Sequence, residues 1–273
     1  MTIVVAVSVA DGLVMASDSA TTQQIELPNG GVETINIWNS ANKIFNLRRG
    51  LPIGAMTWGR ADFLSRSIAS HCKDLRALLS GEDGQRPRLA IDPNRYDMRT
   101  VVERVRDHFA ALYGREPGGL IGFLVGGYSA RGSTPEVWQV EIDERGSRVG
   151  QPLRPGEAGI FQQGQPEAIE RLVDGVSGSL RGALVNLGVE EGIVDAYVDA
   201  IKAQIALPMV HAAMPLAEAI ELAEFLVDAT IKFVRFTPGD AFVGGPIEVA
   251  AMTRHEGYKW VKRKHYYSSD LNP

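Results

Sequence analysis

The chain is 273 residues long, 45% hydrophobic and carries a net charge of −5. That is enough apolar material for one sizeable core, and it supplies no basic field for nucleic acid or an anionic membrane. A single cysteine, Cys72, excludes an intrachain disulfide framework, and with no apolar run of about eighteen residues and no charged leader, a cytoplasmic protein without a membrane span is expected.

The predicted elements begin with a hairpin. Thr2 to Val9 (TIVVAVSV) is β-branched and apolar, Ala10-Asp11-Gly12 supplies the turn, and Leu13 to Ser17 returns as the partner strand, closed by Asp18. A loop, Gln23 to Ala41, leads to a strand-like segment from Asn42 to Leu47 that contains Lys43. Ala61 to Leu79 reads as a helix with Phe63, Leu64, Ile68, Leu75, Leu78 and Leu79 on one face. Gly81 to Pro93 is a polar link, after which Asp97 caps a second helix with Met98, Val101, Val102, Val105, Phe109 and Leu112 on one side. Leu120 to Val125 and Val137 to Ile142 read as strands, and a short strand follows Gly159. Helix is expected over Pro166 to Gly182, onward to Leu207, and again from Pro215 to Phe236, before a last strand over Gly244 to Ala250. Strands, paired helices, strands, paired helices, strands is the order of an α/β (α+β) chain folded as a four-layer αββα sandwich.

Thr2, Asp18 and Lys43 each have a chemical use together. A threonine made N-terminal by removal of Met1 carries a hydroxyl nucleophile and an α-amine base on one residue. An α-amine has an ordinary pKa of about 7.7–8.0, so a neighbouring lysine ammonium pushes it toward its neutral, basic form. Burying that lysine is costly unless a carboxylate compensates, which gives Asp18 a role. Each residue also has an ordinary use, the aspartate as a turn residue and the lysine as an edge-strand charge.

The stretch TIVVAVSVADGLVMASDSATT resembles the opening of a proteasome β subunit or of the bacterial heat-shock peptidase ring, in its spacing of threonine, Asp-Gly and the later aspartate. Asn42-Lys43-Ile44-Phe45 is similar to the strand that carries the catalytic lysine in that family, and Leu51 to Asp62 continues the likeness. The chain is thus identified as a member of the proteasome-like N-terminal-nucleophile hydrolases, with Val243-Gly-Gly-Pro nearer to the bacterial ancestral β-subunit type. The resemblance implies catalysis by Thr2, Asp18 and Lys43 and an oxyanion donor in the backbone N–H of Ala55, the second member of the Gly54-Ala55 pair. It places Gln163 and Asp240 in supporting positions, with Val243 where the family has a serine. It implies a threonine-type amide or peptide hydrolase that works through an acyl-enzyme, without cofactor or metal, in a homo-oligomeric ring or stack. The reading from another class is an inactive ring subunit that serves as an assembly or binding platform.

One proteasome-like domain over residues 1–273 is expected, with a helical extension at about 188–213 and a C-terminal arm at about 256–273. The five histidines show no metal-ligand spacing, and no Walker loop, dinucleotide fingerprint or Gly-x-Ser-x-Gly elbow is present. The tail Tyr258 to Tyr267 mixes bases and aromatics, but a lone basic run in an acidic chain reads as a solvated edge strand or an interface arm before it reads as a nucleic-acid contact.

Overall fold

A computed structural model describes residues 2–26, 32–82, 84, 87–239 and 242–264. The chain opens with β1 (Ile3–Val9) and β2 (Gly12–Ser17), the expected hairpin, and continues into β3 (Thr21–Glu26) and β4 (Val32–Trp38). This second hairpin stands where the sequence suggests only a loop. β5 (Ile44–Asn46) and β6 (Ile53–Gly59) follow, then the short pair β7 (Asp62–Phe63) and β8 (Arg66–Ser67). That pair corrects the start of the first helix. Leu64 and Ser65 both take positive φ, 52° and 59°, in a tight turn, and Ser67 caps α1 (Ile68–Ser80) by accepting from Ser70 N–H. Phe63 is buried through the turn and not through a helical face.

Asp97 caps α2 (Met98–Arg115) as its sequence position predicts, its carboxylate accepting from Thr100 N–H. Then come β9 (Ile121–Gly127), β10 (Glu136–Asp143), β11 (Gly146–Leu153) and β12 (Gly159–Gly164). β11 has no apolar alternation to announce it, since six of its eight residues are exposed. The expected helix over 166–182 is two pieces, α3 (Glu167–Val173) and α4 (Leu180–Asn186), broken where Gly175 takes φ 74°. α5 (Glu191–Ile205), α6 (Leu216–Phe236), β13 (Glu248–Thr253) and the edge strand β14 (Gly257–Lys262) complete the order.

Two five-stranded sheets carry the architecture, in the orders β12-β1-β2-β13-β14 and β11-β10-β9-β6-β5. Alternation within β1 explains why its run is apolar throughout: Val4 and Ala6 face the second sheet with Leu13, Met15, Met56 and Leu124, while Ile3, Val5, Val7 and Val9 pack against Ala223, Leu226 and Val227 of α6. On the other side, α1 and α2 cover the second sheet through Leu75, Val102, Val105 and Phe109 against Phe123 and Val125. Helix, sheet, sheet, helix is the four-layer sandwich. α5 contributes little to it, with Val194 as its one buried residue and Ile193, Tyr197 and Ile205 exposed. No helix among the described residues is long and apolar enough to cross a membrane.

Burial of hydroxyls and the thiol makes stability fall at alkaline pH. Desolvation pushes Tyr96 and Tyr128 up to about 12 and moves Cys72 and Tyr258 further above their ordinary values of 9.0 and 10.0. The folded chain therefore keeps protons that the unfolded chain gives up from about pH 9. Stability is whole below that pH and falls as pH rises through the tyrosine range. Urea midpoints measured from pH 8 to 11 should decline, and Tyr258→Phe should make the decline shallower; a flat profile contradicts this account.

Candidate functional site

Three segments meet at one end of the layer between the sheets. Thr2 immediately precedes β1, Asp18 immediately follows β2, and Lys43 stands one residue ahead of β5. Val4 lies opposite Ser17 in the β1–β2 ladder, so Asp18 falls beside the start of β1, where its N–H donates to Ile3 O at 3.3 Å. The Asp18 carboxylate is fully buried and receives four donors. Oδ1 accepts from Ile3 N–H at 3.1 Å and from Lys43 Nζ at 2.6 Å, and Oδ2 accepts from Ala20 N–H and Gly244 N–H, each at 3.1 Å. One oxygen thus bridges the lysine ammonium and the peptide N–H that follows Thr2. Such charge-assisted bonds are what make a buried carboxylate tolerable.

The Lys43 side chain is 6% exposed. Burial pulls its ammonium below the ordinary lysine range, Asp18 pushes it back up by charge and hydrogen bond, and Lys264 adds a smaller downward push. Thr2, 7% exposed, and Lys43 both line a cavity of about 610 Å³. Trp38, Ser40 and Asn42, the segment from Thr57 to Asp62 and the first turn of α1 line it as well. Arg60 is held firmly in this lining: its guanidinium pairs with Glu116, donates to Glu116 O at 2.7 Å and Gly118 O at 3.1 Å, and lies 4.1 Å from the centre of the Phe63 ring.

The structure therefore brings Thr2, Asp18 and Lys43 together, and it treats the other sequence candidates differently. Ala55 does not line the cavity. It is 0% exposed in the middle of β6, paired with Phe45 on one flank and Val125 on the other. Thr57 N–H donates to Lys43 O at 3.0 Å, so period-two alternation turns the N–H of Ala55 toward β5 as well, into the ladder. The same alternation turns the N–H of Gly59 to that flank, but beyond the end of β5, at the cavity wall; Arg60 N–H, one residue on, donates the other way to Leu120 O at 2.8 Å. Gln163 pairs with Val4 in the β1–β12 ladder and is not part of the cavity wall. Asp240 lies outside the described residues.

Sequence reading missed several positions. Gly164, φ 102°, ends β12 so close to the terminus that an added Cβ would lie 1.8 Å from Thr2 O. Gly244 supplies a donor to Asp18 from a segment that the sequence offers only as strand. Lys264 and Glu248 form a second buried ion pair at 2.9 Å. The one available signal was positive: glycines next to a strand end often mark close backbone approach.

No protein-family model matches the sequence, and no curated protein sequence matches it. The fold has a known counterpart. A solved structure of Anbu, the ancestral β-subunit, from Yersinia bercovieri aligns with 97% of this chain and 89% of its own, at a TM-score of 0.50 and 14% identity. The fold is proteasome-like. At that identity the likeness is one of architecture, and in this chain the residue before β1 and the residue before β5 come to one cavity.

Proposed function

We propose that the chain is an N-terminal-nucleophile hydrolase that cleaves an amide bond, in a peptide or a small amide, after loss of Met1 frees the amine of Thr2. The observation that supports it above the others is the single Asp18 oxygen shared by Lys43 Nζ and the N–H after Thr2, at the edge of a substrate-sized cavity. In this reading the Thr2 hydroxyl attacks the substrate carbonyl while its own amine, directly or through a water, takes the hydroxyl proton and passes it to the leaving amine. Lys43 keeps the amine neutral before attack and stabilises negative charge during it, and Asp18 keeps Lys43 in place. The oxyanion role passes from Ala55 to the Gly59 N–H, whose orientation fits the cavity. Water then resolves the ester on Thr2. Walls shared between copies in a homo-oligomeric ring or stack belong to the same proposal.

Intact mass and a threonine-directed electrophilic probe test it. The mature protein should lack Met1, take up one probe molecule on Thr2 and hydrolyse quenched peptides or small amides, with both properties absent in Thr2→Ala. Retained Met1, or equal labelling of Thr2→Ala, rejects the hydrolase and favours the non-catalytic ring subunit.

A further inference from the structure

A second buried ion pair lies behind Asp18 and Lys43, and the proposed reaction does not use it. Lys264, two residues past β14, turns its ammonium inward to Glu248 Oε2 at 2.9 Å, Ser19 Oγ at 2.7 Å and Ala41 O at 2.7 Å. Its side chain is 9% exposed and that of Glu248 is 1% exposed. Three acceptors meet three N–H bonds, so the ammonium is fully satisfied. The acceptors are informative: Ser19 follows Asp18, Ala41 precedes Lys43 by two residues, and Ala41 N–H donates to Ser19 O at 2.9 Å. Ser19 is tied further, its N–H to Gly244 O at 2.9 Å and its hydroxyl to Pro246 O at 2.6 Å. One lysine therefore fastens the two segments that carry the first ion pair. Replacing a buried ion pair by apolar residues of similar volume is often neutral or stabilising, which leaves the charges themselves to be explained.

We infer that Lys264 and Glu248 are a positioning pair that holds the Asp18 and Lys43 segments in register and sets the electrostatic balance felt by the Thr2 amine. Its catalytic consequence rests on the hydrolase reading above. Among the described residues, the charged groups that line the cavity with Thr2 are Lys43, Arg60, Asp62 and Lys73, with Asp18 paired to Lys43 and Glu248 paired to Lys264. Arg60 is already partnered by Glu116. Removing the Lys264 charge leaves Glu248 unbalanced and favours protonated amines nearby; removing the Glu248 charge leaves Lys264 unbalanced and favours neutral ones. Two variants of one ion pair must then shift titration in opposite directions, which a merely structural contact would not do.

The test is competitive chemical labelling of the Thr2 α-amine and of Lys43 Nζ in the full chain across pH, read by mass spectrometry of their peptides. Lys264→Met should raise both midpoints by about half a pH unit or more, Glu248→Gln should lower them by a similar amount, and Lys264→Arg should leave them in place. The acid limb of kcat/KM should move with the amine. Shifts of the same sign in Lys264→Met and Glu248→Gln, or none, overturn the inference. Should Lys264→Met fail to fold, Glu248→Gln carries the test alone, and an unmoved or raised midpoint overturns it. Should Met1 be retained, the Lys43 profile decides; opposite shifts there without hydrolysis would reject the hydrolase and uphold the positioning pair.

Discussion

Asp18→Ala should lower the free energy of unfolding by about 3–5 kcal/mol, the cost of leaving one member of a buried ion pair without its partner. The number follows from what Asp18 holds. Lys43 would keep a buried ammonium with its nearest compensating charge gone, and the N–H groups of Ile3, Ala20 and Gly244 would lose their acceptor together. Against a total stability of about 5–15 kcal/mol, that is a large share. Asp18→Asn keeps one oxygen acceptor and removes the charge, so it should fall between wild type and alanine. Lys43→Met in the Asp18→Asn background should recover part of the loss, because no unpaired ammonium then remains. Urea unfolding of wild type, Asp18→Asn, Lys43→Met and the double variant measures the coupling. A loss below about 1 kcal/mol in Asp18→Ala would mean that water reaches Lys43 and that the pair does not govern this end of the sandwich. Amide hydrolysis should fall to background in the same variant, since Lys43 is then free to turn away from Thr2.

The parts of this fold that the sequence made legible are those where local pattern and tertiary role coincide. β1 and β2 are buried on both faces, so a plain apolar run with an Asp-Gly turn sufficed to find them. α2 and α6 each have one apolar face and one core to cover, and Asp97 marks the start of α2. Recognition of Thr2, Asp18 and Lys43 needed more than pattern, because their meeting depends on the β1–β2 register and on the arrival of the segment before β5. Failures have their own physics. Phe63 and Leu64 satisfy a helical period by accident, while the positive φ of Leu64 and Ser65 breaks the chain into a hairpin first. Gly54-Ala55 resembles the proteasome-like pair by residue type, while two-residue alternation turns the Ala55 N–H into the β5–β6 ladder, a direction that residue type alone does not report. By sequence Lys264 belongs to a basic run that reads as a solvated edge strand or an interface arm; its burial arises from Glu248 and Ser19, more than two hundred residues of separation in the latter case, which no local rule reports.

Gly164→Ala should reduce amide hydrolysis by about a hundredfold or more while the protein stays folded. Two effects act at that residue and they can be separated. Its φ of 102° is a region that side-chain-bearing residues enter only with strain, a cost of about 1–3 kcal/mol. The second effect is contact: the new Cβ would sit 1.8 Å from the carbonyl oxygen of Thr2, and since its position is fixed by the Gly164 backbone and the oxygen is itself backbone, neither can swing aside. Ile3 and Gly164 are the last pair of the β1–β12 ladder, and relief comes most easily by pushing the Thr2 peptide off its line. A nucleophile displaced by about 1 Å loses on the order of a hundredfold in rate. Gly146→Ala supplies the control. It has a φ of 109° with no atom within 4 Å of an added Cβ, in the β10–β11 turn and outside the cavity wall, so it carries the strain without the clash. Thermal unfolding should fall modestly in Gly146→Ala and further in Gly164→Ala, which carries the clash as well, whereas kcat should collapse only in Gly164→Ala. Equal activity in both would show that the Thr2 peptide tolerates displacement, and with that the placement of the nucleophile by β12 would have to be abandoned.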